Sequence, residues 1–526
     1  MNVLRILRFF LPGENPLGFS LPDAIELFVA AMGLIAILCR RKIVAAITWL
    51  AERPRLAMLV LFLLPIVLRL ALLGQHPVPI PTVPDDFSFL LLGDTLAHFR
   101  LANPVHPMHR FFESLFILQE PSYSSIYPPG QGIVLALFGH PWAGVLVSVG
   151  VFCALCFWML RAWVPPPWAL CGGLLAVAAF GPLSKWTNDY WGGALSAIAG
   201  CLVFGATKRN NPWLAGVGIA IQVLTRPFEA LLLAAVVPSR RMLPPIMAAG
   251  VLMLFHNHAV TGSWTTLPYQ ASRAQYGVPA TFTFQENARP NRTLTPSQQL
   301  AFEVEKATHD HPITWPERLS ALRFFLLAQL FAAIPFALAR RNLWAFATIA
   351  FFLAGTAFYP YFYPHYIAAV TCLFLLLAVA GLERLSRITL RGFDVGADTA
   401  MVVLILCGAH FVFWYGLHLA GNSAIFSATS QYEEPDYINY GDSEGRRVIA
   451  RELAKQRGDQ LVFVHYSAAH TLSEWVYNAA DIDHSRVVWA LDRGADENHK
   501  LQDYYPSRKV WLLEPDASPL RLRSYP

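Results

Sequence analysis

The chain has 526 residues, of which 55% are hydrophobic and 14% charged, and its mean hydropathy is +0.41. A soluble core cannot bury that much apolar surface, so the composition excludes an ordinary soluble enzyme and predicts a polytopic membrane protein. The formal net charge of +5 comes from short basic clusters between apolar runs. Because these clusters form no continuous basic patch or stripe, we expect no nucleic-acid partner.

Apolar runs long enough for a membrane helix recur along the chain. A helix needs about 20 apolar residues to cross the hydrocarbon core, and runs of that order lie at 22–39, 56–73, 132–160, 168–183, 191–207, 243–260, 319–339, 343–358, 365–382 and 399–419. Two shorter runs, at 212–224 and 228–238, predict a hairpin. We therefore expect about 11 to 12 transmembrane helices within residues 1–420. The first run ends in Arg40 and not at a small-residue cleavage site, so no cleavable signal peptide is expected.

Basic residues in alternate short loops predict the orientation of the chain. They cluster near residues 40–55, 208–209, 240–241, 340–341 and 384–391, and the positive-inside rule places those loops in the cytoplasm. The remaining connections then face outward, and chemistry is expected in 74–131, 184–193, 261–318, 359–366 and the tail beyond 420. If the first run only lies on the membrane surface, the N-terminus is cytoplasmic, and the side assigned to every later loop is unchanged.

The tail, residues 421–526, has a different composition and predicts a separate small α/β domain on the outer face. A helical stretch at 442–457 precedes three short apolar runs rich in Val and aromatic residues, LVFVHY (461–466), VVWAL (487–491) and KVWLLEP (509–515). Runs of this length and composition are typical of strands.

Cysteine and histidine usage gives no strong metal signal. All seven cysteines fall inside apolar runs, which supports neither a disulfide framework nor a zinc site. Several histidines and aspartates are dense in the tail but lack a recognised ligand spacing. For these we favour solvated surface and hydrogen bonds at strand ends over ligation; they are His465, His470, Asp481, Asp483 and His484.

The polar stretch VPDDFSFLLLGDTLAHFRLANP (83–104) follows a predicted span and places Asp85 and Asp86 at the membrane edge. Acids at such positions are often functional, although any loop leaving a bilayer is polar. Apolar residues then recur at helical spacing, which predicts an interfacial helix with both acids at its N-terminal end. The helix dipole favours their ionised form, and an ionised carboxylate in a partly dry cleft can act as a general base. Asp94 lies too far along this helix to touch the pair.

Three further segments follow this acidic pair in chain order. They are the turn SSIYPPGQG (124–132), the stretch LTRPFEALLLA (224–234) and the stretch YFYPHYIAAVTCLFLLLAVAGLERL (361–385). Together with the acidic pair and its interfacial helix, they resemble the GT-C superfamily of membrane glycosyltransferases, especially the protein O-mannosyltransferase and aminoarabinose transferase branch. The resemblance covers roughly residues 56–385. It implies a GT-C-like helical domain whose outward loops 74–131 and 261–318 form the active face.

The resemblance also implies an inverting transfer of a sugar from a polyprenyl-phosphate carrier to an acceptor. Asp85 matches the first acid of the family's Asp-Glu pair and is the candidate general base. Asp86 stands where the family has Glu, so a role that depends on the longer side chain is in doubt. Arg226 with Glu229 is the candidate for the donor phosphate, which needs cationic partners as it leaves. The alternative is an intramembrane ion pair that only fixes the hairpin.

Further substrate-binding candidates lie on the outward turns. For the tyrosines near 359–366 we favour an aromatic belt at the membrane interface over a binding site, whereas for the tryptophans of 184–193 the belt and a binding site explain the residues equally well. The loop 261–318 can close over the site as a lid. The remaining candidates are His365, Tyr366, Asp94, Lys185, Asp189 and Tyr127.

Two other classes remain open: a transporter or lipid-carrier flippase, and a non-catalytic membrane scaffold. Transporters typically show repeated halves and charges at the midplane, whereas this sequence shows no internal repeat and its charges lie near the outer face. The expected partners are the lipid bilayer, a polyprenyl-phosphate sugar donor and an acceptor that is a protein, a lipid or a glycan. No cofactor is required by a motif, although the two adjacent acids can in principle hold a divalent cation. The expected location is a bacterial plasma membrane with the C-terminal domain in the periplasm.

Overall fold

The computed structural model describes residues 21–237, 239–421, 438 and 445–525. Helices dominate the part that precedes residue 421. In chain order they are α1 Leu21–Ile35, α2 Arg40–Ala51, α3 Pro54–Ala71, α4 Pro84–Ala97, α5 Pro129–Ala136, α6 Pro141–Leu160, α7 Pro166–Phe180, α8 Lys185–Asn188, α9 Ala194–Lys208, α10 Pro212–Thr225, α11 Pro227–Val236, α12 Leu243–Thr261, α13 Pro268–Tyr276, α14 Pro296–Asp310, α15 Trp315–Ala321, α16 Ile334–Ala337, α17 Leu343–Thr356, α18 Thr371–Leu385 and α19 Val395–Ala420. Short 3-10 turns join several of them, at Ala36–Cys39, His109–Phe111, Arg240–Met242, Leu322–Phe325, Ala328–Ala333, Arg340–Asn342 and Pro364–Val370.

Five helices of the described chain are long and apolar enough to cross a membrane, so this is an integral membrane protein. They are Pro54–Ala71, Pro141–Leu160, Arg240–Thr261, Pro364–Leu385 and Val395–Ala420. A sixth span is possible by length if Trp315–Phe325 and Ala328–Ala337, which are bent by 102°, are taken together. Four shorter apolar helices, α7, α9, α10 and α11, lie among them. The expected fold class, a helical membrane protein, is confirmed, while the count of 11 to 12 spans exceeds what helix length alone supports.

The helix Pro364–Leu385 forms the centre of the bundle. Its most apolar window is 100% buried, whereas that of Pro54–Ala71 is 22% buried and that of Arg240–Thr261 is 28% buried. Without a lipid bilayer around them, helices that face lipid are exposed, so the latter two lie at the periphery.

Two predicted spans are broken in the structure. The run 132–160 is two helices, α5 and α6, because Gly139 has φ +68° and Pro141 starts a new helix. The run 319–339 is bent as described above, so its expected single helix is wrong. In the predicted hairpin, α10 and α11 meet at Arg226, whose extended φ of −147° and following proline end the first helix.

A four-stranded sheet confirms the small C-terminal α/β unit. Its strands are β3 Gln460–Val464, β4 Val487–Leu491, β5 Lys509–Glu514 and β6 Arg521–Ser524, in the order β4-β3-β5-β6. β3 pairs in parallel with β4 and β5, and β6 pairs antiparallel with β5. Helices α20 Arg446–Lys455 and α21 Ala495–Tyr504 accompany the sheet. The helix predicted at 442–457 is shorter at both ends, with 442–444 outside the described residues, and the domain boundary near 420 stays a prediction.

The sheet packs against the loop 74–131, which the sequence predicts to face outward. Leu461 and Phe463 of β3 share a buried cluster with Phe111, Phe112 and Tyr123 of that loop. The loop itself carries α4 and a short hairpin in which β1 Ile117–Leu118 pairs with β2 Ser124–Ser125. This packing fixes α4, and with it the two adjacent acids, between the membrane bundle and the C-terminal sheet.

Candidate active site

Asp85 and Asp86 lie in the first turn of α4, as the sequence predicts. Pro84 occupies the first helical turn, where its missing N–H is no loss. Gly132 on α5 allows the close approach of the two helices, because a Cβ there would lie 2.3 Å from Cγ of Leu92 on α4. The sequence thus sets the acids at a helix N-terminus whose position is fixed by a neighbouring helix.

Asp86 is buried and joins two segments of the site through hydrogen bonds. One carboxylate oxygen accepts from the backbone N–H of Thr82 at 3.1 Å and the other from that of Tyr190 at 2.9 Å. The side chain is only 2% exposed, and burial raises its pKa to about 6 while those two N–H groups oppose the rise. Since both oxygens are engaged, Asp86 ties the 184–193 turn to the start of α4. This geometry is poorly suited to a cation shared with Asp85.

Asp85 is the acid that a substrate can reach. It is partly exposed, and one of its oxygens accepts from the hydroxyl of Tyr127 at 2.5 Å. Burial of the carboxyl raises its pKa, and the opposing effects are this hydrogen bond and the charges of Lys185 and Arg226. A carboxyl with a raised pKa that is held in place by a neutral phenol is suited to accept a proton.

Tyr127 is held rigidly where it meets Asp85. Its ring stacks on Phe89 of α4 at a centroid distance of 4.2 Å and meets Tyr269 edge-on at 5.8 Å. Burial and the neighbouring Asp85 raise its pKa well above the ordinary range, so the phenol stays protonated as a donor. The predicted Tyr-Pro-Pro turn therefore supplies a fixed hydrogen-bond donor to the reachable acid.

Arg226 and Glu229 form the ion pair that the sequence allowed, at 2.9 Å from Nε to Oε1. Glu229 is 2% exposed at its side chain and Arg226 is 22% exposed. The guanidinium also lies 4.3 Å from the ring centroid of Tyr366. The pair fixes the junction of α10 and α11, and it leaves one face of the guanidinium on a cavity described below.

The turn 184–193 brings together charged and aromatic groups. Ser184 caps α8 by accepting from the N–H of Trp186, and Lys185 places its ammonium 4.5 Å from the ring centroid of Trp191. Asp189 accepts from the N–H of Gly192 at 3.0 Å, and burial raises its pKa well above the ordinary value. Since Asp86 binds this turn through Tyr190, the turn and the acidic pair form one site.

Two cavities adjoin at Trp191. The larger, called the polar cavity, has a volume of about 220 Å³ and is lined among others by Asp86, Lys185, Asp189, Trp191 and Arg447. The smaller has a volume of about 20 Å³ and is lined among others by Tyr127, Trp191, Arg226, Tyr269 and His365. Trp191 thus separates a polar chamber from a tight one that contains the predicted phosphate partner.

His365 and Tyr366 lie on the tight chamber's side. The ring of His365 meets Trp191 edge-on at 4.5 Å, and Tyr366 is covered by Arg226 as described. Both belong to one packed aromatic cluster rather than to scattered membrane anchors. The structure therefore brings together Asp85, Tyr127 and Arg226 with these two residues.

Asp94 lies outside the site. Its Oδ2 accepts from the backbone N–H of Ala480 at 2.7 Å, so it joins α4 to the C-terminal unit. This contact gives Asp94 a role in orienting the loop.

Two arginines of the site are missing from the sequence-based candidates. Arg69 is 1% exposed and donates to Oδ1 of Asn188 and to the carbonyls of His76 and Pro77. Its place within a predicted span could have revealed it, since intramembrane arginines are rarely idle. Arg447 donates to the carbonyl of Val78 at 2.6 Å and lines the polar cavity from the C-terminal unit. No local pattern marks Arg447.

The tail histidines pair with carboxylates, as the favoured interpretation expects. His465 contacts Asp492, His470 contacts Asp516 and His484 contacts Asp481, at 2.7, 2.7 and 2.9 Å. Within the described ranges, no group of three or more His, Cys, Asp or Glu side chains is placed to hold a metal ion.

The loop 261–318 lies packed beside the site. Tyr276 and Val278 share a buried cluster with Leu115 and Leu118 of the first outward loop. Arg292 further ties the loops together through Glu120 at 2.6 Å. The loop thus reaches the site through Tyr269, which borders the small cavity beside Tyr127.

Comparison with known proteins gives little beyond this geometry. No family model matches the chain, and no curated protein matches it. Among solved structures, it is similar to the archaeal oligosaccharyltransferase AglB from Archaeoglobus fulgidus in complex with an inhibitory peptide and a dolichol-phosphate. That match has 12% sequence identity and a TM-score of 0.36, and it covers 87% of this chain and 69% of the other. A score this low carries no argument, so function is argued from the site itself.

Proposed function

We propose that this protein is a membrane glycosyltransferase that moves a sugar from a polyprenyl-phosphate carrier to an acceptor hydroxyl on the outer face of the membrane. The observation that carries the proposal is the setting of Asp85. It is a reachable carboxylate, held by Tyr127 and influenced by two cations, of which Lys185 borders the polar cavity and Arg226 the small one. A base between an acceptor side and a phosphate side is what sugar transfer from a lipid phosphate requires.

In the proposed reaction, the carboxylate of Asp85 takes the proton of the acceptor hydroxyl. The acceptor oxygen forms a bond to the anomeric carbon of the donor sugar as the bond between that carbon and the phosphate oxygen breaks. The bonding pair leaves with the phosphate, and attack from the opposite face inverts the anomeric centre. A positioned base typically contributes about 10²- to 10⁴-fold in rate.

Arg226 is the proposed partner of the departing phosphate. It lies at the junction of two apolar helices, and its guanidinium borders the small cavity. The ion pair with Glu229 orients it and is compatible with this role, because a guanidinium has five N–H donors. Fixed cationic donors of this kind stabilise negative charge as it develops.

The proposal assigns different roles to the two adjacent acids. Asp85 is the base, whereas Asp86 positions the turn that carries Lys185 and Asp189. We further propose that the site faces the periplasm of a bacterial plasma membrane, in keeping with the basic loops on the opposite side.

The test compares the wild type with Asp85→Asn in the purified full-length protein. A panel of labelled polyprenyl-phosphate sugars is incubated with each, with a membrane extract as the source of acceptors and a chelator in half of the samples. Asp481→Asn, a surface acid whose side chain is 42% exposed, is the matched control. We expect Asp85→Asn to lose at least about 100-fold in transfer at unchanged melting temperature, while the control keeps its activity.

Two outcomes would count against the proposal. Undiminished transfer by Asp85→Asn would show that Asp85 is not the general base. Absence of turnover and of donor-induced stabilisation with every donor would favour a transporter or a scaffold instead.

A further inference from the structure

The polar cavity has a wall with unsatisfied hydrogen-bonding groups. Among the described residues, Oδ2 of Asp189 and the indole Nε1 of Trp191 are buried and have no hydrogen-bond partner. Asp189 is only 7% exposed, and both residues line the cavity. Buried polar groups are nearly always paired with protein, water or a ligand. An unpaired acceptor and an unpaired donor in the same wall are therefore candidates for hydrogen bonds to a polar ligand.

The two open groups differ in hydrogen-bonding character. An indole N–H only donates, whereas the open oxygen of Asp189 accepts when the carboxyl is ionised and can also donate when it is protonated. A partner that both donates and accepts satisfies the two groups in either state. Hydroxyl groups meet that requirement. The ammonium of Lys185, stacked on Trp191 at 4.5 Å, adds a further donor at the same wall.

Charge and size narrow the choice of occupant. Two acids, Asp86 and Asp189, and three cations, Arg69, Lys185 and Arg447, line the cavity. A lining with acceptors and donors of both signs suits a group with several hydroxyls, and competition by inorganic phosphate tests the anionic alternative. The volume of about 220 Å³ equals that of about seven waters at roughly 30 Å³ each. This is enough for one sugar ring and too little for a folded peptide segment.

The cavity lies on the side of the site opposite the donor phosphate. Asp86 and Lys185 line it, Asp85 precedes Asp86 at the start of α4 and feels the charge of Lys185, and Arg226 borders the chamber beyond Trp191. The C-terminal unit borders the cavity through Arg447, which donates to the carbonyl of Val78. A group in the polar cavity therefore lies on the Lys185 side of Asp85, away from Arg226.

We propose that the polar cavity is the acceptor subsite and that it holds a sugar ring, so that the acceptor is a glycan or glycolipid hydroxyl. Asp189 and Trp191 hydrogen-bond the ring hydroxyls, and Arg447 brings the C-terminal unit into acceptor recognition. The conclusion that the bound sugar is the acceptor rests on the proposed transferase function. The conclusion that a sugar ring binds at this wall is independent of that function.

Binding is tested without donor or turnover. Saturation-transfer difference NMR is recorded on the full-length protein in deuterated detergent with a panel of methyl glycosides as probes. Asp189→Asn and Trp191→Phe are compared with the wild type and with the surface control Asp496→Asn. We expect at least one methyl pyranoside to receive saturation, and each cavity variant to reduce it at least about fivefold, as loss of a single hydrogen bond of ordinary strength would.

The outcomes separate the inference from the transferase proposal. Absence of saturation for every glycoside, equal signals in both cavity variants and the wild type, or displacement of the glycoside by inorganic phosphate would each overturn the sugar subsite. If turnover is found, Trp191→Phe should raise the acceptor KM by a larger factor than the donor KM; a larger rise in the donor KM would place the donor sugar here instead. Glycoside binding that depends on Asp189 in a protein without any turnover would refute the transferase and retain the binding site.

Discussion

Removal of the Tyr127 hydroxyl is expected to move the acidic limb of the pH profile upward. This hydroxyl donates to Asp85 at 2.5 Å, and the hydrogen bond lowers the pKa of Asp85 against the effect of burial. In Tyr127→Phe the carboxylate loses that donor, so its pKa rises. A base must be deprotonated to act, so a raised pKa moves the onset of activity to higher pH.

The magnitude follows from the strength of the lost contact. A hydrogen bond to a charged group contributes about 1.5–3 kcal/mol, and one pKa unit corresponds to about 1.4 kcal/mol. The acidic limb is therefore expected to shift up by about one to two pH units. Stacking of the ring on Phe89 is retained in the variant, so the change is confined to the hydroxyl.

The assay is the rate of sugar transfer at saturating donor as a function of pH. Tyr504→Phe is the matched control, because its ring lies in the C-terminal unit and its hydroxyl contacts Asp483, far along the chain from the acids. An acidic limb that stays in place or moves to lower pH in Tyr127→Phe would refute the assignment of Asp85 as the base held by Tyr127.

Three further variants test the supporting contacts. Burial raises the pKa of Asp86 from its ordinary value of 3.8 to about 6, so protonation of this carboxyl stabilises the folded state by about 3 kcal/mol at low pH. This stabilisation is lost as pH rises from about 4 to about 6. The fall in melting temperature over that window should therefore be smaller in Asp86→Asn than in the wild type. Arg226→Gln leaves Glu229 buried without its partner and should destabilise the protein by about 3–5 kcal/mol. The double variant that also carries Glu229→Gln should recover the melting temperature but still have a raised donor KM. A normal donor KM in the double variant would show that the ion pair is only structural. Asp94→Ala leaves the N–H of Ala480 without its acceptor, at a cost of about 1–3 kcal/mol, so amide exchange at residues 478–482 should accelerate relative to Asp496→Ala, and unchanged exchange would contradict a docking role.

The sequence predicts those features of the site that depend on short stretches of chain. Asp85 and Asp86 fall at a helix N-terminus because Pro84 and the apolar spacing after it specify the start of α4. The small sheet is likewise predicted, since its strands are Val-rich runs that stand out against a polar tail. Local patterns suffice where the determinant of structure lies within about one helical turn or one strand.

The distinct roles of the two acids could not be predicted in this way. Asp86 has a structural role because its carboxylate accepts a hydrogen bond from the N–H of Tyr190, which is distant in sequence. No residue near Asp86 in the sequence predicts that partner. The break between α5 and α6 could not be predicted for a different reason. An apolar run indicates a segment within the membrane, but it does not indicate that the segment is one continuous helix, and here Gly139 interrupts the helix. Arg447 was missed because its role depends on how the C-terminal sheet docks.

The docking of that sheet also contributes to the polar cavity. Arg447 lines that cavity and donates to the carbonyl of Val78. In the proposed arrangement, the carrier phosphate and the acceptor approach Asp85 from different sides of the indole ring of Trp191. The acceptor side is thus built in part from the C-terminal unit, whereas the donor side is built from membrane helices and the outward loops. Changes in the C-terminal unit are therefore expected to alter which acceptor is used and to leave the donor unaffected.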